Sequence, residues 1–391
     1  MRGEQAKDKD FVVVGSNLDE MKAKGLRQVG KNFPVFIDPK TKAEYALARK
    51  EIKTGPGHDG FTFEFSPNVT LEEDLLRRDL TINAMAMDEE KGEEIIDPYG
   101  GQKDLKDKIL RHVSKHFGED PLRVLRVARF AALLSDFSIH PDTMDLMKKM
   151  VKSGELKDLT AERVYMEMER AMKYPTPERF FEILSECGAL EVLFPELENL
   201  KGVPQNPKYH PEGDAWVHTM LVVKNARLLS EKLEIRFAAL MHDFGKGITP
   251  DDVLPKHTAH ESRGLPLIKD FCQRFKFPNK TRDLALKVCE YHLLSHKVFD
   301  LKASTILDLF TNLNCFRDPE VLDNFLLCCR ADDLGKLSET YPQADYLKLC
   351  FEKLKDLNLK ELTAEVEGLG AKEKIRQARI EILKSIPKPT I

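Results

Sequence analysis

No stretch of this chain approaches the roughly 20 consecutive apolar residues that a membrane span requires. The opening Met1-Arg2-Gly3-Glu4-Gln5-Ala6-Lys7 has no apolar segment and resembles no signal peptide. Cysteines at Cys-x-x-Cys spacing are also missing. The seven present (Cys187, Cys272, Cys289, Cys315, Cys328, Cys329 and Cys350) are scattered and odd in number, which argues against a disulfide framework or structural zinc and for reduced thiols. There is little excess charge: 61 basic and 65 acidic side chains leave a net −4, so a nucleic-acid partner would have to be met by a local basic surface. No internal repeat or low-complexity tract stands out. These absences lead to the expectation of a cytoplasmic globular protein that does not enter membranes.

What is there is enough for several compact units. The chain has 391 residues, 42% of them hydrophobic, and that length implies roughly two to four domains. Near the start, Lys7-Asp8-Lys9-Asp10 runs into the apolar Phe11-Val12-Val13-Val14, a pattern that predicts a buried strand over 11–15. Side chains on a strand repeat every two residues, so Asp8 and Asp10 point to the same side. Two hard oxygen ligands so placed suit Mg²⁺, although a solvated strand entry reads the same way. Further strands are expected at 34–37 and 43–48, with a helix over 17–25 capped by Asn17. Thr54 to Gly60 is rich in breakers and reads as a mobile loop. A helix begins near Leu71, and the end of Arg77 to Met87 alternates like a strand. Beyond residue 119 amphipathic helices take over to the C-terminus.

Two groups of side chains carry chemistry. The helix from Pro121 bears Arg123, Arg126 and Arg129 at three-residue spacing, with Asp120 just before it. Such a row is either a solvated ion-pair stripe or a set of guanidinium forks for phosphates and base edges. Further on come His218, His242-Asp243, His257, His260, His292, His296 and Asp332, and most of the 11 histidines fall within about 90 residues. Imidazoles and carboxylates converging from separate helices form a divalent-metal site able to activate water. Adjacent His242 and Asp243 can both face inward only where a helix ends, and Gly245 is expected to provide that ending.

Six segments in this order resemble the bacterial CCA-adding tRNA nucleotidyltransferases that carry an HD phosphohydrolase domain: Lys7 to Asp10, Glu44 to Arg49, Arg77 to Asn83, Asp97 to Gly101, Glu119 to Arg129, and His242 to Lys246. The resemblance implies that Asp8 and Asp10 hold Mg²⁺, with Glu44 a third acidic group. It implies that Arg78, Arg126 and Arg129 bind the incoming nucleotide and that Asp79 and Asn83 shape its pocket. Asp120 and Arg123 would read the Watson-Crick edge of CTP or ATP, and Asp97 to Arg111 resembles the element that assists the switch from C to A. His218, His242, Asp243 and Asp332 would hold a second metal, Ni²⁺ or another divalent transition metal, for hydrolysis of 2′,3′-cyclic and 2′-phosphoester bonds. Implied partners are the tRNA acceptor arm, CTP and ATP, and the expected assembly is a monomer, with a homodimer as the other form.

The expected fold is α+β: a small mixed α/β nucleotidyltransferase head, then a long all-α body that includes an HD-type domain. Expected boundaries are 1–118 for the head, 119–204 for a helical region that reads nucleotide and contacts tRNA, 205–340 for the HD domain and 341–391 for a helical tail. Only seven residues precede Asp8, without the Gly-Gly-x-Val-Arg-Asp loop with which the resembled family opens. The resemblance therefore carries an alternative: an impaired transferase head, leaving an HD phosphohydrolase or a non-catalytic tRNA-binding protein.

Overall fold

A computed structural model describes residues 10–29, 35–53, 61–88, 94–335, 340–362 and 369–389. Asp8 and the expected loop at 54–60 lie outside them. The chain divides into two compact units, Met1–Thr160 with Glu186–Val192, and Ala161–Ser185 with Leu193–Ile391.

The first unit begins with β1 (Asp10–Val13), α1 (Leu18–Ala23), β2 (Arg27–Val29), β3 (Val35–Ile37) and β4 (Glu44–Leu47). Their sheet has the order β1-β4-β3-β2, with β1 parallel to β4 and the other pairs antiparallel. Strand alternation puts Phe11 and Val13 on one face with Tyr45 and Leu47, where the Phe11 and Tyr45 rings stack at 4.7 Å. Met21 and Leu18 of α1 close over Phe36, Leu47 and Val13 to form the core. Asn17 caps α1 as expected, its side chain accepting from the Asp19 and Glu20 amides. The other face carries Asp10 and Glu44.

A hairpin of β5 (Lys50–Lys53) and β6 (Phe61–Glu64) follows. Helix α2 (Leu71–Leu76) starts at a Thr70/Glu73 capping box. The alternation expected at the end of Arg77 to Met87 becomes a 3-10 turn at Thr81–Asn83 and a two-residue strand, β7 (Ala86–Met87), paired with β8 (Ile95–Ile96). The turn wins because Asp79 accepts from its neighbour's amide, Leu80 N–H, and from the Asn83 side chain, which folds the segment back on itself. Then come α3 (Gly101–Asp107), β9 (Ile109–Leu110), α4 (Leu122–Leu133), β10 (Ser138–Ile139) and α5 (Pro141–Ser153).

Among its described residues the second unit contains helices and no strand. It contains α6 (Ala161–Lys173), most of α7 (Glu178–Cys187), α9 (Pro195–Glu198), α10 (Ala215–Leu229) and α11 (Leu233–Met241), while α8 (Ala189–Leu193) lies largely in the first unit. After these come α12 (His260–Arg274), α13 (Asn279–His296), α14 (Ala303–Asn312), α15 (Glu320–Gly335), α16 (Pro342–Lys355), α17 (Leu359–Leu362) and α18 (Leu369–Ser385). Helices α10, α11, α13 and α15 pack on one another, and α12 packs on α13. Phe237, Phe244, Phe271 and Phe325 are completely or almost completely buried among them. All seven cysteines are free, as expected, and all are buried.

One expectation fails here. Gly245 does not end a helix, because α11 already stops at Met241 with His242 as its cap. Gly245 sits in the 3-10 turn Phe244–Ile248, where a Cβ would lie 1.9 Å from the His260 carbonyl oxygen and 2.6 Å from the Gly264 nitrogen. It is needed for close approach to α12, not for a left-handed turn.

Candidate nucleotide pocket and candidate metal centre

In the first unit the register pairs Asp10 with Glu44 on adjacent parallel strands, so both carboxylates leave the same exposed face side by side. Beyond β4, the Arg49 amide donates to Asp74 Oδ1 at 3.3 Å. Asp74 is buried, and it also receives Arg77 at 2.6 Å and Arg78 at 3.5 Å. Arg78 donates onward to the Asn83 carbonyl at 3.3 Å.

The arginine row of α4 is tied to the same segment. Arg123 donates from Nη1 to the His116 carbonyl at 2.6 Å and from Nη2 to the Arg77 carbonyl at 2.7 Å. Arg126 Nε donates to Asp79 Oδ2 at 2.7 Å. Arg129 lies over the Phe130 ring at 4.4 Å. Asp120 Oδ1 accepts from the Leu122 amide at the helix start. With Arg123 and Arg129 only 8% and 7% exposed, the row is not a solvated stripe. Burial pushes the Asp79 carboxyl up, but Arg126 and the Asn83 amide outweigh it and hold the group below the usual carboxylate range. Asp74 has no motif in the sequence; it ties Arg77 and Arg78, three and four positions on, to the Arg49 amide 25 positions back.

In the second unit, four of the expected ligands converge. His218 comes from α10, His242 and Asp243 from the end of α11, and Asp332 from α15, all buried. His218 Nε2 lies 3.1 Å from Asp332 Oδ1 and 3.7 Å from Asp243 Oδ2, and His242 Nε2 lies 3.1 Å from Asp243 Oδ2. His218 Nε2, His242 Nε2 and both Asp243 oxygens are buried with no well-formed hydrogen bond. Donor atoms so arranged fit a divalent ion, since ligands about 2.1 Å from a common metal stand roughly 3.0 to 3.4 Å apart.

Side chains behind these atoms orient them. Glu212 Oε1 lies 2.6 Å from His218 Nδ1 and 2.9 Å from His210 Nδ1. Burial pushes the Glu212 carboxyl up, but the two imidazoles prevail and bring it down to about 2. His296 Nε2 stands 2.6 Å from Asp332 Oδ2, with Tyr341 behind it at 3.1 Å. Lys246 Nζ is 2.6 Å from Asp243 Oδ2. Burial works against the Asp243 charge, yet His242, Lys246 and His260 hold its carboxyl well below the ordinary range. His257 makes hydrogen-bond contacts through both ring nitrogens, to Thr249 and the Pro204 carbonyl. Its position is structural. Glu212 and Lys246 were missed as site residues, since only the fold brings Glu212 to His218.

A carboxylate-bearing small sheet joined to an arginine-bearing helix, in a chain with a buried His/Asp centre inside a helical bundle, defines a nucleotidyltransferase head and an HD-type body. Residues 1–111 match the poly A polymerase head domain, 136–201 the probable RNA- and SrmB-binding site of polymerase A, and 216–312 the HD domain. The multifunctional CCA protein of Shewanella denitrificans is 52% identical over 382 residues, covering 96% of this chain and 92% of that protein. That of Thioalkalivibrio sulfidiphilus is 49% identical over 390 residues, covering 98% and 95%. The chain belongs to the multifunctional CCA protein family. Among solved structures, the Thermotoga maritima CCA-adding enzyme complexed with tRNA shares the fold at a TM-score of 0.65 and 19% identity, covering 99% of this chain and 85% of that one.

Proposed function

We propose that this protein completes the 3′ end of tRNA by adding CCA from CTP and ATP without a nucleic-acid template, and that its HD centre hydrolyses phosphoesters. The observation that carries the first activity is the in-register pair Asp10 and Glu44 on the open face of the sheet, in a chain 52% identical to a multifunctional CCA protein. The same near-full-length likeness favours two activities over the alternative of an impaired head.

On this reading Asp8 and Asp10 hold Mg²⁺, with Glu44 beside them. When bound, the ion supplies charge for deprotonating the tRNA 3′-hydroxyl and for the departing pyrophosphate. Arg78, Arg126 and Arg129 take the nucleotide. Asp79 and Asn83 set the orientation of the first two, since Asp79 anchors Arg126 and the Asn83 carbonyl accepts from Arg78. Asp120 and Arg123 pair with the edge of C or A and leave unpaired polar groups against U or G, which is where discrimination arises. Asp97 to Arg111 assists the change from C to A. The helical body grips the acceptor arm by shape and backbone contacts. The working parts are 1–118, 119–204, 205–340 and 341–391. The protein acts as a monomer in the cytoplasm, a compartment that suits its seven reduced thiols.

In the HD centre His218, His242, Asp243 and Asp332 hold Ni²⁺ or another divalent transition metal, which supplies an activated water when bound. Glu212 fixes His218, and His296 fixes Asp332. The substrates are 2′,3′-cyclic and 2′-phosphoesters.

The test is incorporation of labelled CTP and ATP into tRNA that lacks its terminal CCA. Addition of two C and one A, with no addition from UTP or GTP, is expected. No incorporation by the full chain would overturn the transferase reading.

A further inference from the structure

Between α9 and α10 the chain runs past the HD centre without helix or strand, and both ends of this crossing are fixed to it. At the near end His257 Nε2 donates to the Pro204 carbonyl at 3.0 Å and Lys246 Nζ donates to Gln205 Oε1 at 2.7 Å. At the far end Glu212 stands behind both His218 and His210, and the His210 ring meets the His218 ring edge-on at 4.9 Å. A tight turn holds the middle. The Asn206 carbonyl accepts from the Tyr209 and His210 amides, both at 3.0 Å, and Asn206 Oδ1 accepts from the Lys208 amide at 3.0 Å.

This turn presents Tyr209 to solvent. The side chain is 59% exposed, and Lys208 Nζ lies over its ring at 5.5 Å. A ring so open to water buries little and does little for the fold, yet the turn fixes its backbone. Tyr209 also adjoins the least enclosed part of the centre. The four candidate ligands are almost wholly covered. Of the side chains packed against them, His210 and His296 reach solvent most, at 15% and 13%, and the buried Tyr341 stands behind His296. The way in therefore passes His210. A phosphate that reaches the ligands by that route leaves the rest of its ester outside, beside Tyr209.

We propose that Tyr209 is a stacking platform for the base of a ribonucleotide whose 2′-phosphate enters the HD centre, with Lys208 supplying positive charge at the same rim. This rests on the reading of the HD centre as a phosphohydrolase. Every base has a flat π face, so an exposed aromatic ring holds nucleotides with little regard to which base they carry. A lysine beside such a ring is drawn to its face and adds attraction for an anionic ligand. The assignment gives a use to a fixed, exposed ring next to a buried phosphoester centre, and it makes the centre select nucleotides over phosphoesters that have no base.

The experiment compares hydrolysis of adenosine 2′-monophosphate and of glycerol 2-phosphate by the full chain loaded with NiCl₂. Tyr209→Ala is expected to lower kcat/KM for the nucleotide about tenfold relative to glycerol 2-phosphate, with the loss in KM and not in kcat, and Tyr209→Phe, which keeps the ring, is expected to retain the wild-type value. Independently of turnover, photolysis of 8-azidoadenosine 2′-monophosphate with the chelator-treated full chain is expected to label the tryptic peptide 209–224. A nucleotide KM unchanged in Tyr209→Ala, an equal loss on both substrates, a KM raised as much in Tyr209→Phe, or label only outside that peptide would overturn the stacking role and leave the phosphohydrolase reading standing. Hydrolysis of neither substrate by the wild type would overturn that reading and the stacking role with it.

Discussion

Single side chains in both units owe their state to partners that the fold brings to them. Asp79, 6% exposed, keeps its charge because Arg126 approaches from α4 at 2.7 Å. Its folded-state pKa is depressed, so the stability it contributes is fully present above the ordinary carboxylate value of about 3.9 and is lost as pH falls through the lower folded value. Asp79→Asn should destabilise the protein at pH 7 by about 1–3 kcal/mol, measured by urea unfolding, and the difference from wild type should shrink below about pH 4. Glu212 acts at the other site, behind His218. Glu212→Gln should weaken metal retention by about 10- to 100-fold in a chelator competition with little change in melting temperature, as expected when the residue that orients a ligand is altered. The candidate ligands that the fold brings together were legible from histidine density and the His-Asp dipeptide. Asp74 and Glu212 were not, because nothing local distinguishes them from ordinary surface acids.

Elements follow the sequence where local and tertiary signals agree. Helix α1 was readable because Asn17 caps it and Met21 and Leu18 recur on the face that covers the sheet. Strands β1, β3 and β4 were readable from apolar runs. The hairpin of β5 and β6 was not, since Lys50-Glu51-Ile52-Lys53 has the charge of a solvated segment and becomes a strand only by pairing with Phe61–Glu64. Gly245 was noticed for the wrong reason. What it permits is contact between the turn after His242 and the start of α12, which carries His260. Gly245→Ala should force these elements apart, lowering stability by about 3 kcal/mol in thermal or urea unfolding and releasing bound metal, whereas a glycine needed only as a cap would leave metal content unchanged.

The two proposed chemistries fall in two compact units, and each set of candidate site residues lies within one of them. The α+β order, sheet then helices, was legible because periodicity changes once and does not change back. The exact division was not, since Glu186–Val192 joins the first unit through contacts that leave no mark on composition. The carboxylates and arginines belong to the first unit and the histidines to the second, so damage to one should spare the other. The most direct test measures both activities on Arg126→Ala and His242→Ala: CCA incorporation into tRNA, and metal-dependent phosphate release from a 2′-phosphorylated nucleotide. Arg126→Ala should lower incorporation at least tenfold with phosphate release unchanged, and His242→Ala should do the reverse. Equal loss of both activities in both variants, or no loss of incorporation in Arg126→Ala, would contradict the account.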